Sequence, residues 1–390
     1  MTTTPSSLRL LRRAFSTSVQ GGDPAATAAA DATLKSAHDF LYRERSLKRL
    51  VAQFKKSSAF DHFRTKIGTY QYAVRRLASA RRFDMIEEIL EEQKKYRDIA
   101  KEGFAVRIIS LYGRSGMFEN AQKLFDEMPE LSCERTVLSL NALLGACVNS
   151  KKFDRMEELF RELPGKLSID SDSVSYNIAV KGYCAMGSLD TAISMLDEME
   201  KKGLEPDLVT FNTLLSGLYL GNRAADGDKI WARMEEKNIV PGVRSYNAKL
   251  FGLVSQKKMK EAVETVKEMR MKGTNPDIFS MNALIKGFAQ YGNLNDAKLW
   301  YSEIGNSNFD PDKTTFGTLI SLACQKGDVD FAYELCEEIF KIRCLVDGAV
   351  LQLVVDELVK ESRIEEVEKL VQLGKVNKYR RYSLQLPASK

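Results

Sequence analysis

Five asparagines recur along this 390-residue chain at intervals of 35 or 36: Asn141, Asn177, Asn212, Asn247 and Asn282. A carboxamide offers a hydrogen-bond donor and an acceptor on one planar group. The apolar spacing around each places it about four residues into a helix, beside the apolar face, where Asn has poor propensity. Five recurrences of an unfavourable residue point to recognition. Groups for bond-making chemistry are sparse. Only His38 and His62 occur, and the six cysteines (Cys133, Cys147, Cys184, Cys324, Cys336, Cys344) form no CxxC. The cysteines read as buried small apolar residues or surface thiols. No HxE site, Walker loop or dinucleotide loop is present. Acid pairs such as Glu157–Glu158 fall on predicted exposed faces. The expectation is a chain with no catalytic residues, no metal and no cofactor.

The elements that must position these amides are legible from a frame that returns every 35 residues. "GLEPDLVTFNTLL" (203–215) is followed by "NIVPGVRSYNAKL", "GTNPDIFSMNALI" and "NFDPDKTTFGTLI". Within Leu208–Gly242, Phe211, Leu214, Leu215 and Leu218 mark one helix face, and Ile230, Trp231 and Met234 mark a second helix. Gly116, Gly187, Asn222, Gly292 and Gly327 fall in the turn between the helices, where a left-handed residue is expected. Gly203, Asn238, Gly273 and Asn308 are expected to end the second helix with a left-handed cap. Pro206, Pro241, Pro276 and Pro311 prevent continuation, and Asp207, Asp277 and Asp312 precede the next first helix. Ala121, Ala192, Ala262, Ala297 and Ala332 let two helices approach. Met128, Met199, Met234, Met269, Ile304 and Ile339 read as core knobs rather than a metal site. One such hairpin cannot bury its apolar face, whereas a stack of them can.

This frame yields nine units: 67–101, 102–136, 137–172, 173–207, 208–242, 243–277, 278–312, 313–347 and 348–382. The third has 36 residues, with the extra one expected in the "PGKLSIDSD" turn. Residues 32–66 read as a degenerate N-terminal helical hairpin and 383–390 as a tail. The first twenty residues carry Arg9, Arg12 and Arg13, several Ser/Thr and no acid, the composition of an organellar transit peptide. An Ala-rich linker (21–31) follows. The net charge is +5, with apolar residues at 44% and charged residues at 28%. The basic excess sits before residue 67, and residues 137–347 hold 26 Lys/Arg against 30 Asp/Glu, so bulk charge alone does not argue for nucleic acid. No apolar run is long enough to span a membrane.

Two families use helical hairpins of nearly this length, the tetratricopeptide and pentatricopeptide repeats. The 35-residue period and the phased Asn, Gly, Ala, Met and Pro-Asp resemble the second, well over 102–347 and loosely over 67–382. The particular likeness is to short, P-class, plant mitochondrial members. The resemblance implies an all-α fold, a right-handed superhelical α-solenoid of about nine helix-turn-helix repeats. It implies single-stranded RNA (mRNA or rRNA) as partner, read one base per repeat, in the mitochondrial matrix rather than the chloroplast. In that family the fifth residue of a unit faces the base and the last residue orients it. The resemblance therefore pairs Asn141 with Asp172, Asn177 with Asp207, Asn212 with Gly242, Asn247 with Asp277 and Asn282 with Asp312. A carboxylate can hold an amide NH2 and fix its direction. Such Asn–Asp pairs imply pyrimidines, uracil above cytosine. Gly317 with Asp347 lacks a side chain at the reading slot, and Val106 and Gln352 do not match.

The second residue of each unit wedges between bases in the family. Here these are Leu138, Val174, Val209, Arg244, Phe279 and Thr314. The positions that often carry a phosphate-facing Lys are Asn149, Ala185, Leu220, Ser255, Gln290 and Gln325, and none is basic. That departure implies a shallow salt dependence. Five fixed bases recur by chance about once per thousand nucleotides, too often to single out one transcript. The alternative to a free RNA-binding factor is a structural subunit of the mitochondrial ribosome, clasping rRNA and ribosomal proteins. A protein-binding scaffold of the tetratricopeptide kind is the third reading. Neither DNA nor a membrane is expected as a partner.

Overall fold

The computed structural model describes residues 41–377 and 381–385. The transit-peptide and linker segments lie outside them, as do residues 32–40 of the degenerate hairpin. The chain divides into two compact units, Met1–Glu205 and Pro206–Lys390.

In the first unit residues 41–43 are helical and are followed by α1 (Leu47–Ser58) and the short α2 (Asp61–Arg64). Four hairpins come next: α3 (Ile67–Ser79) with α4 (Phe83–Glu91), α5 (Glu102–Arg114) with α6 (Phe118–Glu127), α7 (Val137–Asn149) with α8 (Phe153–Leu167), and α9 (Ser173–Met186) with α10 (Leu189–Lys201). Two 3-10 turns, Glu92–Lys95 and Arg97–Ala100, replace the end of the second helix in the first of these.

The second unit holds five hairpins. They are α11 (Leu208–Leu220) with α12 (Ala224–Glu236), α13 (Val243–Ser255) with α14 (Met259–Met271), α15 (Ile278–Gln290) with α16 (Leu294–Gly305), α17 (Lys313–Lys326) with α18 (Val329–Lys341), and α19 (Gly348–Lys360) with α20 (Ile364–Val376). Among the described residues there is no strand. From α5 onward in the first unit, and throughout the second, successive first helices of a unit pack side by side, and each first helix also packs on its own partner. Each unit is thus a stack of hairpins, a solenoid architecture.

The local chemistry behaves as a helical repeat demands. Asp172, Asp207, Asp277 and Asp312 are N-caps of α9, α11, α15 and α17, each closing a capping box with the Ser or Thr three residues on. Gly116, Gly187, Asn222, Gly292 and Gly327 all take positive φ in the inter-helix turn. Arg81, Lys151, Lys257 and Ser362 take it at the same place without a glycine. The alanines and the Met/Ile knobs are wholly buried. All six cysteines are free, and burial pushes the Cys147 thiol up to about 12.

Two details differ from expectation. Asn308 has no left-handed conformation, because α16 stops early at Gly305. Gly305 and Asn306 are poor helix formers, and Ser307 closes the end with its N–H to the Ile304 carbonyl (2.9 Å) and its hydroxyl to that of Glu303 (2.8 Å). The extra residue of the 36-residue repeat lengthens α8, whose left-handed cap is Ser168, rather than the turn beyond it.

The last hairpin is covered by the segment after it. Tyr382 and Leu384 are buried, with the Tyr382 N–H on the Gly374 carbonyl (3.0 Å) and its hydroxyl on that of Val346 (3.3 Å). No described helix is long and apolar enough to cross a membrane.

Candidate nucleic-acid interface

The asparagines stand on the first helices, and three of them, each beside the start of the next first helix of its own unit, enter the same closed set of hydrogen bonds. Asn141 donates from Nδ2 to Oδ1 of Asp172 (3.0 Å). That oxygen also accepts the backbone N–H of Ser175 (2.9 Å), which caps α9. Ser175 Oγ lies 2.6 Å from Asn141 Oδ1 and 3.0 Å from Asp172 Oδ1. A hydroxyl has one proton, and the shorter contact takes it, so Ser175 donates to the amide oxygen. Its own oxygen accepts from the Asp172 backbone N–H (3.2 Å).

The set repeats with Asn247, Asp277 and Ser280: Asn247 Nδ2 to Asp277 Oδ1 is 3.0 Å and Ser280 Oγ to Asn247 Oδ1 is 2.6 Å. It repeats again with Asn282, Asp312 and Thr315, at 3.0 and 2.7 Å. A carboxylate only accepts, so the amide nitrogen must face it and the oxygen must face the hydroxyl. The amide is therefore oriented, with one N–H and one oxygen lone pair left unused among the described residues.

The remaining expected positions vary on this plan. Asn212 accepts from Ser245 Oγ (2.6 Å), but Gly242 brings no carboxylate to its nitrogen. Asn177 is half-buried in α9, and Asp207 caps α11 in the other unit. Gly317 leaves the slot without a side chain, and Asp347 is an exposed N-cap residue making no side-chain cap bond. Gln352 stands at the equivalent place in α19. Its Nε2 donates to the Gln385 carbonyl (3.0 Å) and its Oε1 accepts the Gln385 N–H (2.9 Å).

The wedge positions share a helix face with these amides, three residues earlier on the same helix. All six are exposed: Leu138, Val174, Val209, Arg244, Phe279 and Thr314. Phe279 keeps 59% of its surface and Leu138 53%, values unusual for large apolar side chains that pack on nothing. Asn141, Asn247 and Asn282 keep only 8–9%. Asn149, Ala185, Leu220, Ser255, Gln290 and Gln325 are also exposed, so the non-basic surface expected there is real.

Sequence reasoning missed the hydroxyl members, Ser175, Ser245, Ser280 and Thr315. The Asp-x-x-Ser/Thr spacing was the available signal. It also missed Glu102, which takes the place of the capping aspartate where the preceding residue is Thr136. Its Oε1 accepts from Thr136 N (2.8 Å) and Ser139 N (3.1 Å). No described group of His, Cys, Asp and Glu side chains could hold a metal ion.

Comparison with known proteins follows the same lines. The family model described as "PPR repeat family" matches residues 171–219, 241–290 and 276–325. The model described as "PPR repeat" matches 107–133, 138–166, 209–239 and 314–344. Two similar proteins of Arabidopsis thaliana are the small ribosomal subunit proteins mS78 (rPPR3a) and mS79 (rPPR3b). The first is 56% identical over 195 residues, 50% of this chain and 49% of that protein. The second is 59% identical over 162 residues, 42% of this chain and 41% of that protein. The chain thus spans about half the length, or less, of these curated relatives. The crystal structure of the pentatricopeptide repeat protein PPR10 from maize aligns with a TM-score of 0.52 at 21% identity, over 91% of this chain and 49% of that one, a likeness of fold. The repeat period, the stacked hairpins and the matched models, which together cover more than half of the residues, place this chain in the pentatricopeptide repeat (PPR) family.

Proposed function

We propose that the chain is a non-catalytic, single-stranded RNA-binding protein of the mitochondrion, reading a short pyrimidine-rich segment with one first helix per base. The observation that carries this reading is the pairing, on one helix face, of an exposed wedge side chain with an amide oriented by a carboxylate. The wedge offers a surface on which a base can stack. The amide offers the remaining N–H and lone pair to a base edge. Asn141, Asn247 and Asn282 are the fully equipped reading positions, with Asp172, Asp277 and Asp312 as their orienting partners. Asn177 is a further reading position of the first unit, and Asn212 with Gly242 one of the second. The mitochondrial assignment is supported by the composition of the first twenty residues and by similar Arabidopsis proteins whose names place them in mitochondria.

Fluorescence anisotropy with labelled oligouridine and oligoadenosine tests this. Asn247→Ala with Asn282→Ala should weaken oligouridine binding at least tenfold and narrow its preference over oligoadenosine. Unchanged affinity and preference in a folded double variant would remove base reading.

A second reading is favoured by the relatives: the chain works as a component of the small subunit of the mitochondrial ribosome. Both similar proteins described above are named as small ribosomal subunit proteins. The non-basic phosphate positions suit a strand already held by a larger particle. Co-sedimentation with small ribosomal subunits, lost on RNase treatment, is the expected result, and migration only in light fractions would argue against it.

A further inference from the structure

Neighbouring second helices are laced together by charge. Lys152 at the start of α8 meets Glu119 of α6 (3.0 Å), Arg270 of α14 meets Glu303 of α16 (2.9 Å), and Lys298 of α16 meets Asp328 at the start of α18 (2.6 Å). α1 joins such a row by packing on α4, and its Lys55 makes the equivalent bridge to Glu88 (2.9 Å). The other cations around it do not. Residues 41–60 hold six Lys/Arg and one Asp/Glu. Among the described residues Arg43, Arg45, Lys48 and Lys56 have no carboxylate partner, and Arg49 reaches Glu44 only at 3.9 Å, keeping 77% of its side-chain surface. Leu50, Val51 and Phe54 are 0–4% exposed and turn the apolar stripe of α1 inward. At about 100° per residue the opposite face carries Lys48, Arg49, Ala52 and Lys56, all exposed. Tyr42 stacks on Tyr72 of α3 (ring centroids 3.9 Å apart) and Arg76 donates to the Leu41 carbonyl (3.4 Å), which anchors the chain just before α1.

We infer that the outer face of α1 is a docking surface for the phosphate backbone of a double-helical RNA segment. Lys48, Ala52 and Lys56 follow one another at about 6 Å along the helix axis, so the face is a line of cations with a small residue at its centre that lets a backbone approach. No aromatic side chain of α1 is exposed, so a single strand finds nothing to stack on, whereas an A-form duplex is held by its phosphates and its shape. A membrane surface would need an apolar face as well as charge, and that of α1 is spent on the core. An acidic protein would need pockets for its own anchoring side chains, and this face offers charge alone. The surface rests on the RNA-binding reading above but stands on a second-helix row, whereas the asparagines stand on first helices. It therefore takes a second segment: one strand is read by the amides and a neighbouring stem is gripped by its backbone.

The test is anisotropy on the full chain with a labelled RNA hairpin whose stem is fully paired, at several salt concentrations, beside labelled oligouridine. Lys48→Gln with Arg49→Gln and Lys56→Gln should lower the slope of log stem affinity against log salt by about 2.7, three phosphates at the double-strand value. Oligouridine binding should stay at the parental strength, and the circular dichroism spectrum should not change. A control, Lys229→Gln with Lys260→Gln and Lys267→Gln, removes the same charge from exposed positions of α12 and α14 and should leave the slope alone. An equal loss in the control would mean net charge only and would overturn the surface, as would a parental slope in the α1 variant. Displacement of the stem by polyglutamate as readily as by unlabelled stem would mean an acidic-protein site. Binding to vesicles of phosphatidylcholine and cardiolipin that the α1 variant loses, with stem binding intact, would mean a membrane site. Either result overturns the assignment to RNA. If the α1 variant loses stem binding while Asn247→Ala with Asn282→Ala binds oligouridine as the parent does, base reading fails and the surface stands. If only the amide variant loses affinity, the surface fails and base reading stands. No binding of either RNA by the parent ends both.

Discussion

Asp277 Oδ1 accepts from Asn247 Nδ2 at 3.0 Å, thirty residues earlier in the chain, and from the Ser280 backbone N–H at 3.0 Å, three residues later. One carboxylate oxygen therefore orients an amide of one repeat and caps the first helix of the next. Asp277→Ala should lower stability by about 1 kcal/mol through the lost cap and also weaken RNA binding. Asp277→Asn keeps a good cap, so it should stay close to parental stability while changing base preference. Urea unfolding beside anisotropy on the two variants separates these effects.

Phe279 offers the cleanest separation of fold from recognition. It is 59% exposed, so Phe279→Ala should change stability by less than about 0.5 kcal/mol. If a base stacks on it, the same change should reduce RNA affinity by about 1–3 kcal/mol. Equal affinities for parent and variant would exclude stacking there.

Lys257 has φ +64° at the turn position where Gly292 and Gly327 have +63° and +71°. A side chain in this conformation is strained by about 1 kcal/mol or more. Lys257→Gly should therefore stabilise the second unit by about 0.5–1 kcal/mol, and Gly327→Ala should cost a similar amount. Chemical denaturation read at both sites would show it. A destabilised Lys257→Gly would mean the side chain contributes more than its backbone strain costs.

Acid should weaken the fold through specific carboxylates. Burial opposes ionisation of Asp98, but hydrogen bonds from Lys101 and Arg64 outweigh it and hold the group below the usual carboxylate range. The Lys298 hydrogen bond does the same for Asp328, against a smaller burial effect. A folded value below the unfolded one, near 3.9 for Asp, gives stability that is complete above that pH and lost as pH falls through the folded value. Unfolding free energy should thus drop below about pH 4. Asp98→Asn should be less stable at neutral pH by about 1–3 kcal/mol, because it deprives the buried Arg64 of a 2.6 Å partner. Its acid limb should be shallower than the parent's.

Much of the architecture is readable because each repeat solves the same local problem. Pro206 and Asp207 can only end one helix and start another, and the interval between Met199, Met234 and Met269 sets the packing period. The turns were legible at Gly116, Gly187, Gly292, Gly327 and Asn222. They were not legible at Arg81, Lys151, Lys257 and Ser362, where the stacked hairpins outweigh a backbone cost of about 1 kcal/mol. Asn308 misled because two weak helix formers just before it end α16 first. The amide–carboxylate pairs followed from family resemblance, but the hydroxyl that completes each set did not, since Ser and Thr near a helix start are ordinary capping residues. The Tyr42–Tyr72 stack joins residues thirty apart in a stretch without clear periodicity, so only the fold brings it out.

The doubly employed oxygen on Asp172, Asp277 and Asp312 restricts how such a protein can diversify. Any replacement there must still start a helix well, which leaves Asp, Asn, Ser, Thr and Gly as the usable alphabet; Thr136 and Gly242 already sample two of its letters. On the proposed RNA-binding reading, retargeting a repeat to another nucleotide becomes a choice among helix starters, and the repertoire of sequences the architecture could evolve to recognise is bounded by what its helices will tolerate at their N-caps.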